Sequence, residues 1–410
     1  MFAHRFFKAV VTTGELTVID AKGKRATYGD GEGPPATIRI TNRWTELRML
    51  LNPTLHVGEA YMDGHLVLEQ GSIYDFLDIA SRNIRNVGNH PLRRWIRRIA
   101  VPLRHLRTFN PISRARRNVA HHYDLSGELY DLFLDDDRQY SCAYFTSEQD
   151  TLEQAQTNKK RHIAAKLLLD KPGLNILDIG SGWGGMGLYL AREADAKVTG
   201  VTLSEEQLKI SRARAEKEGL AERTEFHLRD YREEPGTYDR IVSVGMFEHV
   251  GSSHYHEFFR KVKSVLAEDG VMLLHAIGTM GPPGPTNPWL RKYIFPGGYT
   301  PSLSEVTAAI EDVGLYITDI EILRLHYAET LRHWRERFEA NIDRARTLYD
   351  DRFCRMWDFY LAGCEVSFRY MDQMVFQIQL AHKQEAVPLT RDYITDWERG
   401  TAQKSTRAAE

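Results

Sequence analysis

The chain has 410 residues, of which 42% are hydrophobic and 27% are charged, and its formal net charge is -2. This length is too great for one ordinary domain and the composition is that of a globular protein, so we expect two folded domains and exclude a disordered chain. The three cysteines, Cys142, Cys354 and Cys364, lack metal-binding spacing and are odd in number, which predicts free thiols, no metal site and a reducing compartment. No apolar run is long enough to span a membrane and the N-terminus lacks an apolar signal segment, so we expect a cytoplasmic protein that is soluble or peripherally membrane-bound.

Residues 1–90 are predicted to form a small α+β domain. Apolar and polar residues alternate over 15–40 in the manner of strands, with glycine-containing turns between them. Helices are expected over 44–51 and 73–83, and a strand over 65–69. A direct role in lipid handling and a purely structural packing role both remain open for this domain.

Residues 91–118 carry nine arginines and no acidic residue, although the whole chain is nearly neutral. Apolar residues such as Trp95 and Leu103 lie between the arginines, and Pro102 and Pro111 divide the segment into short pieces. A basic amphipathic linker of this kind suits an anionic membrane surface, and a solvated linker is the alternative. Nucleic acid would match the charge as well, but no nucleic-acid-reading motif accompanies it, so we expect no nucleic-acid partner.

Residues 119–385 are predicted to form a second, larger domain in which strands alternate with helices. Strands are expected over 175–179, 197–203, 224–230, 238–245 and 270–278, with a sixth near 315–324. This alternation predicts an α/β fold with a doubly wound, mostly parallel sheet, whose ligands lie at the carboxyl ends of the strands. Four polar residues fall at or just beyond such ends: Asp178, Asp230, Glu248 and His275.

The remainder of the larger domain gives weaker signals. Residues 279–301 are rich in proline, glycine and aromatic residues, and a long loop of this kind is typical of a lid. Long amphipathic helices are expected over 329–383, where Cys364 is interpreted as a packing residue and not as a nucleophile. A C-terminal tail is expected over 386–410.

The first strand of this sheet leads into a loop with five glycines in eight residues, over 180–187. Such a loop lets the backbone turn sharply and approach a ligand at the start of the next helix. A GxGxxG dinucleotide site is one interpretation, but the second strand ends without the acidic residue that such a site uses. Ser204 is instead expected to cap the next helix, with Gln207 completing a capping box. DIGSGWG and GVTLSEEQ resemble motifs I and II of class I S-adenosylmethionine (AdoMet) methyltransferases, which implies that AdoMet is the bound cofactor.

A wider resemblance covers residues 118–383. HHYDLS, YSCAYF, DIGSGWG, FEHVG and HAIG occur in the order and approximate spacing of the cyclopropane-fatty-acyl-phospholipid synthase family. The N-terminal region matches more loosely, where this family has a sterol-carrier-like (lipid-carrier-like) domain that its shorter mycolic-acid relatives lack. The resemblance implies an enzyme that transfers a methylene group from AdoMet to the cis double bond of unsaturated phospholipid acyl chains. It also implies a homodimer, and with the basic linker it leads us to expect peripheral association with the inner face of the membrane. From their length and composition, residues 279–301 are interpreted as a cover or an acyl-chain gate, with an inert surface loop as the alternative.

The resemblance implies a bicarbonate ion as general base, because family members hold this ion with residues at five matching positions. Such an ion accepts hydrogen bonds from tyrosine hydroxyl, histidine N–H and main-chain N–H groups, while a carboxylate fixes its own proton. The cysteine then acts as a neutral thiol contact. The matching residues are Cys142, Glu248, His275, Ile277 and Tyr327.

The family pattern also assigns nine residues to AdoMet. Tyr140, Ser141, Gly180 and Gly182 are expected around the methionine portion, Thr202, Leu203 and Gln207 near the ribose, and Asp230 and Tyr231 toward the adenine. Aromatic rings can stabilise positive charge near the reacting carbon, and the candidates are Tyr140, Phe247 and Tyr299.

Two rival functions remain compatible with the sequence. One is an AdoMet-dependent lipid C-methyltransferase that makes methyl-branched fatty acids, against which the presence of all five bicarbonate positions argues. The other is a lipid-binding protein without catalytic activity that uses the N-terminal domain.

Overall fold

The computed structural model describes residues 7–84 and 126–400. Residues 91–118 and residues 121–125, the HHYDL part of the HHYDLS box, therefore lie outside the described residues. None of the helices in these two ranges is long and apolar enough to cross a membrane.

The N-terminal unit is a four-stranded sheet packed on helices, as the sequence predicts. The strand order is β2-β1-β3-β4, in which β1 is antiparallel to β2 and parallel to β3. Local caps set the helix starts: Asn42 caps the first helix, Pro53 opens the second, and Ser72 with Asp75 forms a capping box before the third. The elements are β1 (Glu15–Ile19), β2 (Arg25–Gly29), β3 (Ala36–Ile40), α1 (Arg43–Leu51), α2 (Pro53–Met62), β4 (Leu66–Gln70) and α3 (Ile73–Arg82).

The larger unit contains a seven-stranded sheet in the order β10-β11-β9-β8-β5-β6-β7. β11 is antiparallel to both of its neighbours, and the strands from β9 to β7 are parallel. The predicted doubly wound, mostly parallel α/β sheet is therefore confirmed. Its strands are β5 (Asn175–Ile179), β6 (Lys197–Thr202), β7 (Thr224–Leu228), β8 (Tyr238–Val244), β9 (Leu266–Thr279), β10 (Tyr316–Ile322) and β11 (Gln373–Ala381).

Helices cover both faces of this sheet and build a second layer beside its carboxyl ends. They are α4 (Gly127–Tyr130), α5 (Leu152–Lys166), α6 (Gly185–Glu193), α7 (Glu205–Lys217), α8 (Tyr255–Val265), α9 (Pro288–Tyr293), α10 (Leu303–Val313), α11 (His326–Ala340), α12 (Ile342–Leu348), α13 (Asp351–Tyr370) and α14 (Asp392–Glu398).

Two expectations for the C-terminal half are wrong in part, those for the helices over 329–383 and for the tail, and the lid segment contains a short helix. The helices expected over 329–383 end at Tyr370, and β11 then inserts between β9 and β10. Gln377 and Gln379 alternate with apolar residues there and are fully buried, so the period of two is that of a strand. The lid segment 279–301 contains α9, and the tail expected from 386 contains α14, because both short helices bury an apolar residue against the rest of the fold.

His162 attaches α14 to the sheet. Its Nδ1 lies 2.6 Å from Oε1 of Glu398, and its Nε2 lies 2.8 Å from Oε2 of Glu321. Two carboxylates at the two ring nitrogens require a doubly protonated imidazole. Burial by itself would lower the pKa of His162, but the hydrogen bonds with Glu321 and Glu398 outweigh it and raise the pKa above the ordinary 6.5.

We expect this contact to make stability depend on pH. A raised folded-state pKa gives a contribution that is complete below the unfolded-state value and is lost as the pH rises through the folded-state value. Wild type should therefore lose about 1–2 kcal/mol of unfolding free energy above pH 6.5 relative to His162→Gln. Urea unfolding of both proteins at several pH values measures this, and equal pH slopes would contradict it.

Candidate active site

A glycine-rich loop between β5 and α6 forms the floor of a cleft. Gly180, Gly182 and Gly184 have φ values of 82°, 55° and 86°, in the left-handed region that favours glycine. A Cβ at Gly180 would lie 2.7 Å from the Cβ of Met246 on the neighbouring loop. Because α6 begins at Gly185, which also lines the cleft, the N–H groups of its first turn lie beside the same space.

This cleft, called here the cofactor cleft, has about 1150 Å³ of empty space, part of it open to solvent. The nine residues assigned to AdoMet all line it, although they come from four separate parts of the chain. Their individual roles stay predictions. The nine are Tyr140, Ser141, Gly180, Gly182, Thr202, Leu203, Gln207, Asp230 and Tyr231.

Local hydrogen bonds fix the polar side chains between β6 and α7. Ser204 caps α7, since its Oγ accepts from the backbone N–H of Gln207 at 3.3 Å. The expected capping box is incomplete, because the Gln207 Oε1 accepts instead from Thr202 Oγ1 at 2.9 Å. Thr202 and Gln207 therefore hold each other at the wall of the cleft.

Asp230 lies at the far wall of the cleft, before the short turn Tyr231–Glu233. Nε and Nη2 of Arg232 donate to its two carboxylate oxygens at 2.8 and 2.7 Å. This bidentate pair fixes the orientation of the carboxylate. A carboxylate accepts about four hydrogen bonds, so Asp230 retains acceptor capacity toward a ligand.

A second cavity, called here the inner cavity, opens behind the cofactor cleft. It has about 930 Å³ of empty space, part of it open solvent, and its lining is largely apolar. Tyr140, Ser141, Gly245 and His249 line both spaces, so the two meet there. The five residues assigned to bicarbonate all line the inner cavity: Cys142, Glu248, His275, Ile277 and Tyr327.

Glu248 is the carboxylate of the inner cavity. It follows β8, and its Oε1 accepts a 2.7 Å hydrogen bond from the backbone N–H of Ile277. Its Oε2 is buried and has no hydrogen-bond partner among the described residues. Burial raises the pKa of Glu248 to about 7, against the lowering effect of the Ile277 N–H. An acceptor of this kind is suited to hold a proton-bearing guest in the cavity.

His275 lies on β9 opposite Gln377 of β11. The Gln377 Nε2 lies 3.1 Å from the His275 Nδ1, so the amide holds one ring nitrogen. Burial, together with the positive charges of Lys159, Lys166 and His162, keeps the pKa of His275 well below its ordinary value. A neutral imidazole carries one N–H, which can serve as a donor toward the cavity when the Nδ1 accepts from Gln377.

Tyr327 and Cys142 complete the polar part of the wall. The Tyr327 ring lies 5.8 Å from that of Trp334 and 4.8 Å from that of Phe368. The Cys142 thiol is 1% exposed and donates to the Ala143 carbonyl at 3.3 Å. Burial raises the pKa of Cys142 well above its ordinary range, so the thiol is neutral and is not a nucleophile.

Aromatic rings surround the junction of the two spaces. Tyr140 stacks on Trp334 at 5.2 Å, and its hydroxyl lies 2.7 Å from that of Tyr360. Of the three rings expected near the reacting carbon, Tyr140 and Tyr299 line the inner cavity, whereas Phe247 does not. The prediction that Phe247 lies near the reacting carbon is wrong, because its ring is fully buried against the helix that follows, 4.5 Å from the ring of Tyr255.

Sequence reasoning missed several residues of the site. Tyr360 and Cys364, both on α13, line the inner cavity, and burial raises the pKa of Cys364 to about 12. Cys364 is thus part of the cavity wall in addition to packing within its helix. The cavity-facing residues of α13 follow a helical spacing that also fits ordinary core packing, so the sequence carried no separate signal for them.

Lys159 is the other missed residue. Its side chain on α5 is completely buried, and its Nζ donates to Gln139 Oε1 at 2.6 Å and to Ser141 Oγ at 2.8 Å. Burial lowers the pKa of Lys159 to about 8, against the raising effect of Asp135. This ammonium group therefore holds the loop that separates the cofactor cleft from the inner cavity.

Asp178 at the end of β5 also faces the cofactor cleft. Burial raises its pKa to about 7, and its Oδ2 has no hydrogen-bond partner among the described residues. Within residues 7–84 and 126–400, no group of three or more His, Cys, Asp or Glu side chains could hold a metal ion.

The doubly wound sheet, its glycine loop and the cleft at the strand ends define a class I AdoMet-dependent methyltransferase. Residues 111–378 match the family described as mycolic acid cyclopropane synthetase, and residues 2–90 match a domain of unknown function. The chain belongs to the mycolic acid cyclopropane synthetase family.

Individual relatives agree with this assignment. The chain is 38% identical to cyclopropane-fatty-acyl-phospholipid synthase of Escherichia coli, over 86% of this chain and 90% of that protein. It is 43% identical to a probable fatty acid methyltransferase of Pseudomonas putida, over 61% of this chain and 65% of that protein. The solved structure of mycolic acid cyclopropane synthase CmaA1, complexed with SAH and CTAB, matches with a TM-score of 0.62 and 33% identity, covering 66% of this chain and 99% of that chain.

Proposed function

We propose that this enzyme transfers a methylene group from AdoMet to the cis double bond of unsaturated acyl chains in membrane phospholipids and forms cyclopropane fatty acids. The observation that carries this proposal is that the Oε2 of buried Glu248 has no hydrogen-bond partner within residues 7–84 and 126–400, in a largely apolar cavity that meets the cofactor cleft. An apolar cavity suits an acyl chain, and a polar group at its end suits proton removal.

The cofactor cleft supports the AdoMet part of the proposal. The glycine loop gives close backbone approach for the methionine portion, Thr202 and Gln207 offer polar atoms for the ribose, and Asp230 offers an acceptor for the adenine amino group. Because the cleft meets the inner cavity at Tyr140 and Ser141, the sulfonium methyl group would face the acyl chain there.

The inner cavity fits a bicarbonate ion. Tyr327 carries a hydroxyl donor and His275 one ring N–H, while the Glu248 Oε2, which has no partner in the described part of the chain, can accept the proton of the ion. When bound, the ion supplies the base that receives the proton lost from the new methyl carbon as the ring closes. Cys142 contributes a neutral thiol contact and Ile277 lines the wall beside Glu248.

The protein's own side chains favour this chemistry in two ways. Alkene attack on a sulfonium methyl leaves S-adenosylhomocysteine and a carbocation, and the rings of Tyr140 and Tyr299 can stabilise that positive charge through their π faces. The largely apolar lining disfavours water, which would otherwise capture the cation as an alcohol.

The most direct experiment incubates the protein with labelled AdoMet and unsaturated phospholipid vesicles. We expect label in the lipid and NMR signals of cyclopropyl protons. Turnover should fall in buffer freed of carbon dioxide and recover when bicarbonate is added. Label without cyclopropyl signals would contradict the proposed product, and turnover that ignores bicarbonate would contradict the proposed base.

The similarity to a probable fatty acid methyltransferase supports a second candidate, methyl branching of unsaturated acyl chains. That reaction starts with the same methyl transfer but ends with a branched chain in place of a ring. The NMR spectrum of the product separates the two, because a branched product lacks cyclopropyl protons.

We also infer the organisation of the whole protein from its sequence. Residues 1–90 form the lipid-carrier-like domain, 91–118 the basic linker, 119–385 the catalytic domain with its cover at 279–301, and 386–410 a C-terminal segment that contains α14. The enzyme acts in the cytoplasm as a homodimer, bound peripherally to the inner face of the membrane.

The arginine-rich linker gives a test of membrane binding. Replacing Arg93, Arg94, Arg97 and Arg98 with glutamine should lower co-sedimentation with anionic liposomes at low salt by at least about tenfold, because each cation near such a surface contributes about 1 kcal/mol. Unchanged co-sedimentation would rule out a docking role for these arginines.

A further inference from the structure

Helix α1 presents three large apolar side chains that the fold leaves in solvent. Trp44, Leu47 and Leu51 are 68%, 46% and 75% exposed. Their spacing places them on one face of the helix. The buried residues of α1, Thr45 and Met49, lie on the opposite face against the domain core. The helix is therefore apolar on both faces, and packing within its own domain accounts for one of them.

Cations flank this apolar face. Arg43 and Arg48 are exposed on α1, and Arg291 and Lys292 are exposed on α9. Arg48 Nη2 and Lys292 Nζ lie 3.0 and 2.6 Å from the two carboxylate oxygens of Glu59, which is itself only 6% exposed. Two of the four cations, Arg48 and Lys292, thus pair with one buried acid next to an apolar surface that contains a tryptophan. Exposed cations beside exposed apolar side chains are complementary to an anionic bilayer, which has phosphates in its headgroups and an apolar interior below them.

The same contacts join the face to the inner cavity. Glu59 on α2 contacts α1 through Arg48. It contacts α9 through Lys292 and through the hydroxyl of Tyr293, which donates to the Glu59 Oε1 at 2.9 Å. α9 belongs to the cover segment 279–301, and its Leu290 lines the inner cavity. One carboxylate therefore connects the exposed face with a wall of the space proposed for the acyl chain.

We propose that the face formed by Trp44, Leu47 and Leu51, with its flanking cations, docks on a bilayer that contains anionic phospholipid. The inference rests on the proposed function, in which the substrate is an acyl chain that must leave a bilayer to reach the inner cavity. Insertion of the three side chains among the headgroups removes apolar surface from water, while the cations meet lipid phosphates. The residues of this face are different from those of the arginine-rich linker.

The test uses the full-length protein and the variant Trp44→Ser/Leu47→Ser/Leu51→Ser. Co-sedimentation with vesicles of unsaturated phosphatidylglycerol and phosphatidylcholine should fall by at least about tenfold, because three inserted apolar side chains are lost. The matched control is Tyr316→Ser/Leu389→Ser, which removes side chains that are 47% and 103% exposed elsewhere on the surface. The control should sediment like wild type, and thermal melting checks that all three proteins are folded.

A second measurement separates docking from chemistry. Turnover of vesicle lipid should fall in the triple variant together with vesicle binding, whereas turnover of the same lipid dispersed in detergent should match wild type. Unchanged vesicle binding by the variant would overturn the docking face. A lower molar mass of the variant by light scattering would also overturn it, since the face would then join two copies of the chain. If wild type modifies lipid neither in vesicles nor in detergent, the proposed function is wrong. The vesicle-binding comparison would still test the proposed docking face.

Discussion

Glu248→Gln is expected to leave the protein folded and able to bind AdoMet, but to lower methylene transfer by about 10²- to 10⁴-fold. The amide oxygen can keep the hydrogen bond from the Ile277 N–H, so the local backbone stays in place. The Oε2 of Glu248 is replaced by an amide NH2 group, which has no negative charge and cannot accept the proton of the base. Calorimetric AdoMet titration and turnover of labelled AdoMet measure the two properties separately.

A matched control for this substitution is Asp358→Asn. Asp358 is also a buried carboxylate, and burial raises its pKa to about 6. Its Oδ1 has no hydrogen-bond partner among the described residues. It lies on α13 against Tyr61 of the N-terminal domain and does not line the inner cavity. We expect Asp358→Asn to retain turnover within about twofold, since it touches no reacting group. Equal losses in both variants would assign the Glu248 effect to general damage of the fold.

The pH dependence of turnover follows from the same residue. Burial raises the pKa of Glu248 to about 7, and the ionised form is the one that accepts the proton of the guest. At a fixed bicarbonate concentration, turnover should rise as the pH increases through about 7, and Glu248→Gln should lack this rise. Wild-type turnover in the variant, or the same pH profile in both proteins, would refute the assignment of Glu248 to the base.

Lys159→Met is expected to weaken AdoMet binding by at least about tenfold. The substitution removes the donor that holds Gln139 Oε1 and Ser141 Oγ, and Ser141 lines both spaces of the site. Lost hydrogen bonds of this kind correspond to about 1–3 kcal/mol, whereas removing a buried ammonium relieves its desolvation cost. We therefore expect a small change in unfolding free energy and a large change in ligand affinity, which urea unfolding and calorimetry measure.

Lys160→Met provides the matched control. Lys160 is the next residue of the same helix, and its Nζ pairs with Asp137 at 2.5 Å without lining either space. Its loss should affect AdoMet affinity less than the loss of Lys159. If both variants bind AdoMet like wild type, Lys159 has no positioning role in the site.

Local patterns in the sequence were sufficient for most of the sheet. Four of the five parallel strands from β5 to β9 contain apolar residues in short runs, β7 alternates between buried and exposed residues, and glycines in the β5–α6 loop mark a place where the backbone turns sharply. β11 was missed because it follows α13 closely, and its alternating run at 377–380 was included in the helical pattern expected over 329–383. In the fold, Gln377 pairs with His275 of the neighbouring strand and Gln379 donates to the carbonyl at the end of α5, and a local window contains neither partner.

The sequence by itself determined the class of fold, the glycine loop, the family boxes and fourteen of the residues that line the two spaces. Only the tertiary structure decided that one oxygen of Glu248 has no partner among the described residues, that Lys159 supports the loop between cofactor cleft and inner cavity, and that α1 keeps an apolar face in solvent. Periodicity and turn signals are local, so they can be read along the chain. Burial, desolvation and hydrogen-bond pairing depend on segments that are distant in sequence, so they exist only after the chain has folded.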